Sequence, residues 1–306
     1  MTSQQWLRKS TLLLANRAGD ALDLSEFHIK FNIKKNDAMT PNTGFIRVYG
    51  LNDDTKSLIQ KEYTKVILQA GYENNFGVIF KGDARQILKG AESAIDKYLD
   101  LVVADGDEAY NFSIVNTTLV AGATQLTQIN AAAESMASGG ITKGYIEPVG
   151  NTTLPRGKVM YGMARDYLRQ SVESSKSSWS VQDGVLQVIP LTGLLPNEAA
   201  VLNSQTGLIG IPTQTNTGVS FRCLLNPSIK IGAKVKINES DINKARLDTA
   251  SENILASLPI ALASDGIYRV LTLYIIGDSR GQDWYCDGVG LSANTTERVG
   301  QQVQVN

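Results

Sequence analysis

The sequence predicts a mainly β protein with an α+β insertion, in which two small antiparallel β-barrels flank a middle α+β domain. Three observations predict it. Apolar and polar residues alternate with period two through the first 105 residues and again from about 216 onward. Apolar residues at helical spacing gather mainly between these stretches, around 125–136 and 156–173. Gly-Tyr, Gly-Asp and Asp-Gly pairs punctuate the strand-like runs, as turns of antiparallel meanders do. The expected division is 1–105, 106–215 and 216–306.

Taken in order, Phe27, Ile29, Phe31 and Ile33 alternate with His28, Lys30 and Asn32, a half-buried strand with one solvated face. In 44–49, Ile46 and Val48 point opposite to Phe45, Arg47 and Tyr49. Asp53 and Asp54 are expected to cap a short helix carrying Leu58 and Ile59, because a carboxylate accepts from the unpaired N–H groups of a first turn. Strands follow at 65–72, where Val66, Leu68 and Ala70 alternate, at 77–82 and at 98–104, ending on the turn Asp105-Gly106. A unit of this kind closes as a small barrel or a sandwich. In the middle, 125–136 reads as a helix through Leu126, Ile129, Ala133 and Met136. A second helix is expected over 156–173, started by Pro155, with Met160, Met163, Ala164, Tyr167, Leu168 and Val172 on one face. The run 177–189 is a hairpin about Asp183-Gly184, and 192–218 reads as a linker. The last third holds strands at 229–237, 268–276 (nearly all β formers, hence central) and 284–291, while 241–257 is a helix or a hydrophilic loop.

Composition excludes several functions. Hydrophobic residues are 42% and charged residues 19%, which suits a folded chain with ample core. A net charge of -1 with no Lys/Arg run argues against a dedicated nucleic-acid binder. The apolar runs at 11–15 and 253–263 are too short to span a membrane, and 12–15 is too short for a signal peptide. Cys223 and Cys286 lack metal-ligand spacing and are expected to be buried reduced thiols, consistent with synthesis in a reducing cytoplasm.

No catalytic residue, metal ligand or cofactor site is expected. The single histidine, His28, lies among Lys30 and Asn32 and is read as solvated or interfacial rather than as a base. No nucleophile elbow is present, and Cys223 has no second histidine to activate it. Asp105, Asp107 and Glu108 are read as a plain acidic turn in preference to a glycosidase pair. The loops 105–108 and 278–283 lack calcium-loop spacing, and 277–281 lacks the ending of a phosphate loop.

The order of Val48-Tyr-Gly-Leu-Asn-Asp-Asp, a short helix, Val66-Ile-Leu-Gln-Ala-Gly-Tyr and Ile79-Phe-Lys-Gly resembles the first barrel of phage baseplate hub proteins, the tail-tube-like hubs of contractile-tailed phages and related injection systems. Leu154-Pro-Arg-Gly, the helix after it and the 179–189 hairpin fit the same family, as do Leu224-Leu-Asn-Pro-Ser-Ile, Tyr268-Arg-Val and Gly277-Asp-Ser-Arg-Gly-Gln-Asp-Trp. Where family members often carry a histidine before that Gly-Asp, this chain has Tyr274 to Ile276, a difference of packing. The resemblance implies two tail-tube-type barrels joined by an insertion and a homotrimer presenting six barrels. That ring adapts a hexameric tail tube to a trimeric central spike and lines the channel through which DNA passes. Its implied partners are the tail tube protein, the central spike protein, other baseplate proteins and, less directly, the tape-measure protein; its place is the virion baseplate, after synthesis in the bacterial cytoplasm.

Candidate interface residues are Leu68, the lysines Lys230, Lys234 and Lys236, and Val303 and Val305. Leu68→Asp is expected to prevent ring formation. The three lysines are read first as protecting an edge strand, and second as a contact for an acidic partner or a channel wall. The stretch 295–306, with Val299, Val303 and Val305 alternating with polar residues, is a frayed end or a strand added to a neighbouring subunit's sheet. The rival functions are a host-glycan adhesin, for which Tyr161, Tyr274 and Trp284 are too scattered to form a platform, and a peptidoglycan-cleaving tail enzyme.

Overall fold

The computed structural model describes residues 7–16, 18–93, 96–147, 153–244 and 262–292. The first third forms β1 (Arg8–Asn16), β2 (Ala21–Asp23), β3 (His28–Asn36), β4 (Thr43–Tyr49), α1 (Asp53–Glu62), β5 (Tyr63–Tyr72), β6 (Asn75–Ala91) and β7 (Lys97–Ala104). The middle holds α2 (Asp107–Phe112), β8 (Ile114–Leu119), α3 (Gln125–Met136), β9 (Thr142–Ile146), β10 (Lys158–Met163), α4 (Ala164–Ser174), β11 (Ser177–Gln182) and β12 (Val185–Pro190). The last third adds β13 (Ala200–Val201), β14 (Leu208–Thr215), β15 (Gly218–Leu224), β16 (Lys234–Lys236), β17 (Ile267–Asp278) and β18 (Trp284–Ser292).

Among the described residues, thirteen strands from the two ends of the chain merge into one sheet, ordered β14-β15-β18-β17-β3-β4-β7-β6-β5-β1-β2 with β16 and β13 branching from β17. The two separate closed barrels expected from the sequence are therefore not what the strand pairing describes; among the described residues the path ends at β2 and at β14, whose outer side is bridged by Asn243 to Pro212 and Gln214, and the branch ends at β13. The reason is the antiparallel seam between β3 and β17, which sets Ile33 opposite Ile275 and Phe31 opposite Gly277. One hydrophobic core underlies both halves: Ile33, Ile46, Val48 and Leu101 from the first join Tyr268, Val270, Leu273 and Trp284 from the last. Phe31 meets the Trp284 ring edge-on at 5.5 Å. A second core, from Val115, Ile129, Met136, Met160, Leu168, Val172, Trp179 and Val188, holds the middle unit. Around it stand a two-stranded sheet, β10-β8, and a three-stranded sheet, β11-β12-β9.

Local chemistry explains most elements. The cap of α1 is Asn52, not the aspartates: its side chain accepts from the Thr55 N–H at 2.7 Å, while Asp53 and Asp54 occupy the positive first turn. The β11–β12 turn follows from Asp183-Gly184, whose φ values of 58° and 79° belong to the left-handed region of a two-residue hairpin. The helix expected from Pro155 begins only at Ala164, because 158–163 is taken by β10, which pairs with β8. Met160 buries into the same core as Ala164 and Leu168, so a strand residue continued the helical spacing by coincidence. The expected strand 229–237 is cut to three residues by a turn at Gly232, where φ is 81°. The expected linker 192–218 contains β13 and β14, both in the large sheet. Residues 245–257 of the expected helix or loop lie outside the described residues.

Candidate assembly surface

The middle unit is fastened to the large sheet by buried polar groups. Lys35 at the end of β3 reaches Asp183 in the β11–β12 turn at 2.5 Å. Asp105, wholly buried, accepts from the backbone N–H groups of Asp183 and Gly184 at 2.5 and 2.9 Å. Burial, aided by the neighbouring Asp183 charge, pushes the Asp105 carboxyl up to about 7 despite Lys35 and the two N–H donors. Asn42 donates to the Val181 carbonyl and the Gln182 side chain, and Gln182 donates back to the Asn36 carbonyl. A second fastening comes from β17: Arg269 pairs with Asp37 and donates to the carbonyls of Pro190, Leu191 and Gly193. Burial raises the Asp37 carboxyl against the opposing pull of Arg269.

The β3–β17 seam is pinned at its far end. His28 Nε2 lies 2.6 Å from Asp278 Oδ1 and its ring stacks on Tyr49 at 4.7 Å. Burial opposes ionisation of Asp278, but the N–H groups of Arg280 and Gly281 and the His28 ring outweigh it and hold the carboxyl below its usual range. The backbone N–H of Ile29 donates to Ser279 Oγ and the Ser279 N–H to the Ile29 carbonyl. Arg8 extends the same docking by donating to the carbonyls of Gly281 and Gln282. His28 therefore has the oriented carboxylate that its sequence context did not reveal, and the pair ties together residues 250 positions apart.

The acidic turn is occupied by structural duties. Asp105 binds the hairpin backbone, Asp107 pairs with Arg85 at 2.7 Å and Glu108 with Lys65 at 3.1 Å. Among the described residues, no group of three or more His, Cys, Asp or Glu side chains is placed to hold a metal ion. No helix among them is long and apolar enough to cross a membrane. Trp284 is buried, Tyr274 sits under Lys34 and Tyr161 is exposed on another unit, so these three aromatics share no surface.

The candidate interface residues fall in different places. Leu68 is 0% exposed in the core of β5, so Leu68→Asp is a test of folding and not of ring formation. Lys234 and Lys236 flank the buried Val235 in β16, which runs between β13 and β17 and is not an edge strand; Lys230 is exposed ahead of the Gly232 turn. Val303 and Val305 lie outside the described residues. Sequence reasoning missed two exposed apolar regions. One is the sheet edge at β14, with Ile209, Ile211 (72% exposed) and nearby Val201. The other is β8–β10, where Ile114, Val159 and Tyr161 face solvent between Phe112 and Val120. The run of β formers Ile114-Val115 and Thr117-Thr118 was the available signal for β8.

A family model described as baseplate hub gp41 matches residues 170–264. No curated protein matches the sequence. The fold is similar to that of the 43 kDa tail protein of prophage MuSo2 from Shewanella oneidensis, at 7% identity and TM-score 0.58, covering 94% of this chain and 97% of that one. A tail protein from Neisseria meningitidis aligns at 9% identity and TM-score 0.57, over 93% of this chain and 96% of that one. The c3393 protein of E. coli, a type VI secretion component described as structurally similar to the T4 tail proteins gp27 and gp5, aligns at 7% identity and TM-score 0.53, over 87% and 73%. The chain thus resembles phage baseplate hub proteins, in sequence over residues 170–264 and in fold, through phage tail and type VI secretion proteins, over most of its length.

Proposed function

We propose that this chain is a non-enzymatic baseplate hub component that assembles as a homotrimeric ring. The ring adapts a hexameric tail tube to a trimeric spike, with other baseplate proteins around it and DNA passing through its channel. The observation that carries this reading is the sheet itself: both chain ends contribute to it, and its strand path ends at β2, at the branch strand β13 and at β14, where among the described residues the Asn243 bridge to Pro212 and Gln214 covers part of the outer side. Unpaired strand edges seek partners, and a head-to-tail contact that closes on itself generates a ring. The two halves of the sheet are then the tail-tube-type units, completed by neighbouring copies, and the virion tail is where the chain resides. The division into a first unit to 105, a middle unit and a last unit suits this reading, with β13 and β14 moving the end of the middle unit from 215 back to Pro190.

The test is native mass across a dilution series, followed by electron imaging with tail tube and spike proteins. A species of three times 33.1 kDa that forms rings is expected. Ile211→Lys, at an exposed position, should shift that species to monomer while leaving the melting temperature within about 2 °C. A chain that stays monomeric alone and with both partners would remove the reading. A normal ring in Ile211→Lys would remove β14 from the interface.

A further inference from the structure

The small sheet of the middle unit has one edge capped and one edge open. The Ala164 N–H donates to the Ser113 carbonyl. With the antiparallel register of β8 and β10, this sets the alternation of the ladder: backbone groups of Ile114, Asn116 and Thr118 point away from β10, and those of Val159, Tyr161 and Met163 away from β8. On the β10 side the Tyr167 hydroxyl accepts from the Tyr161 N–H at 2.9 Å and donates to the Tyr161 carbonyl, which blunts that edge. On the β8 side no strand among the described residues pairs with the outward groups, and Ile114, Asn116 and Thr118 are exposed. Beside this edge lies an apolar face. Phe112 and Val120 are each 75% exposed, Tyr161 72%, Val159 71% and Ile114 55%. These side chains make an exposed apolar face of the kind that marks a contact surface.

We propose that the outer edge of β8 receives an extended strand from a second copy of this chain, formed by residues 299–305. The inference rests on the self-association proposed above. The segment has the required chemistry: Val299, Val303 and Val305 share one face with Gln301, while Gly300, Gln302 and Gln304 occupy the other. Paired along β8, it meets the N–H and C=O groups of Ile114, Asn116 and Thr118 through its backbone. Its valines lie beside Ile114 and across from Tyr161 and Val159, so main-chain bonds supply the attachment and the apolar face supplies the register. Val299 stands seven residues beyond Ser292, the end of β18, a span that reaches about 25 Å when extended. That length lets the strand leave its own sheet and reach a neighbour.

The experiment is hydrogen exchange on the full chain at several concentrations. In the associated form, the amides of Ile114, Asn116 and Thr118 should exchange at least roughly tenfold more slowly than in the dilute monomer. In the Val303→Asp, Val305→Asp double variant that protection should vanish, while the core amides of Ile46 and Leu101 keep theirs. Equal exchange at β8 in ring and monomer overturns the inference and leaves the hub reading standing. Protection that persists on dilution to monomer also overturns it, because the strand is then added within one copy. Failure to associate under any condition removes both.

Discussion

Arg269→Met should destabilise the protein by about 3 kcal/mol or more, measured by urea unfolding, because a buried charge left without its partner costs that much. Arg269 is 2% exposed and serves four acceptors at once, Asp37 and the carbonyls of Pro190, Leu191 and Gly193. Methionine fills a similar volume but leaves the Asp37 carboxyl and three backbone carbonyls at the joint without their donor. Arg269→Lys should fall between the two proteins, since a single ammonium cannot reproduce the planar fork. Asp37→Asn combined with Arg269→Met should lose less than the sum of the single losses, the signature of a coupled pair. Because the three carbonyl acceptors lie at the end of β12 and just beyond it, the loss should be accompanied by faster proteolysis between Pro190 and Gly193. A single variant within 1 kcal/mol of the parent would show that this joint does not hold the middle unit.

The second large effect is a dependence of stability on pH set by Asp105. Burial against the Asp183 charge raises this carboxyl from an ordinary 3.8 to about 7 in the folded protein. The folded state therefore binds one more proton than the unfolded state between these values. Stability from this group is fully present below pH 4 and is lost as pH rises toward 7, by roughly 4 kcal/mol in all. Asp105→Asn, which cannot ionise, should lack this part of the slope when unfolding free energy is followed from pH 4 to pH 8. Superimposable slopes for the two proteins would mean that Lys35 and the two backbone donors keep Asp105 ionised throughout.

Local elements were legible where residues alternate or cap. The α3 helix coincides with the apolar spacing from Gln125 to Met136, and the β11–β12 turn with Asp183-Gly184. The β17 strand lies between β3 and β18, as its unbroken β formers required. What escaped sequence reasoning was long-range pairing. Nothing near His28 announces Asp278, and nothing near Asp37 announces Arg269, because complementary charge leaves no periodic trace between positions 250 or 232 apart. The same holds for the merged sheet: the faces of β3 and β17 were readable, but which edges they share was not. β10 failed for a different reason, since the tertiary demand of β8 for a partner overrode the helical spacing of Met160 and Ala164.

The placement of β17 beside β3 also sets a timetable. β3 is complete once residue 36 has been made, yet its second neighbour ends at Asp278. At about 5–20 residues per second, a ribosome needs on the order of ten seconds or more to deliver that partner. During this interval Ile29, Phe31 and Ile33 belong to a sheet whose growing edge is unsatisfied. The nascent chain must therefore hold a sticky half-sheet in waiting, and the strand carries Lys30, Lys34 and Lys35, charges of the kind that disfavour edge-to-edge pairing.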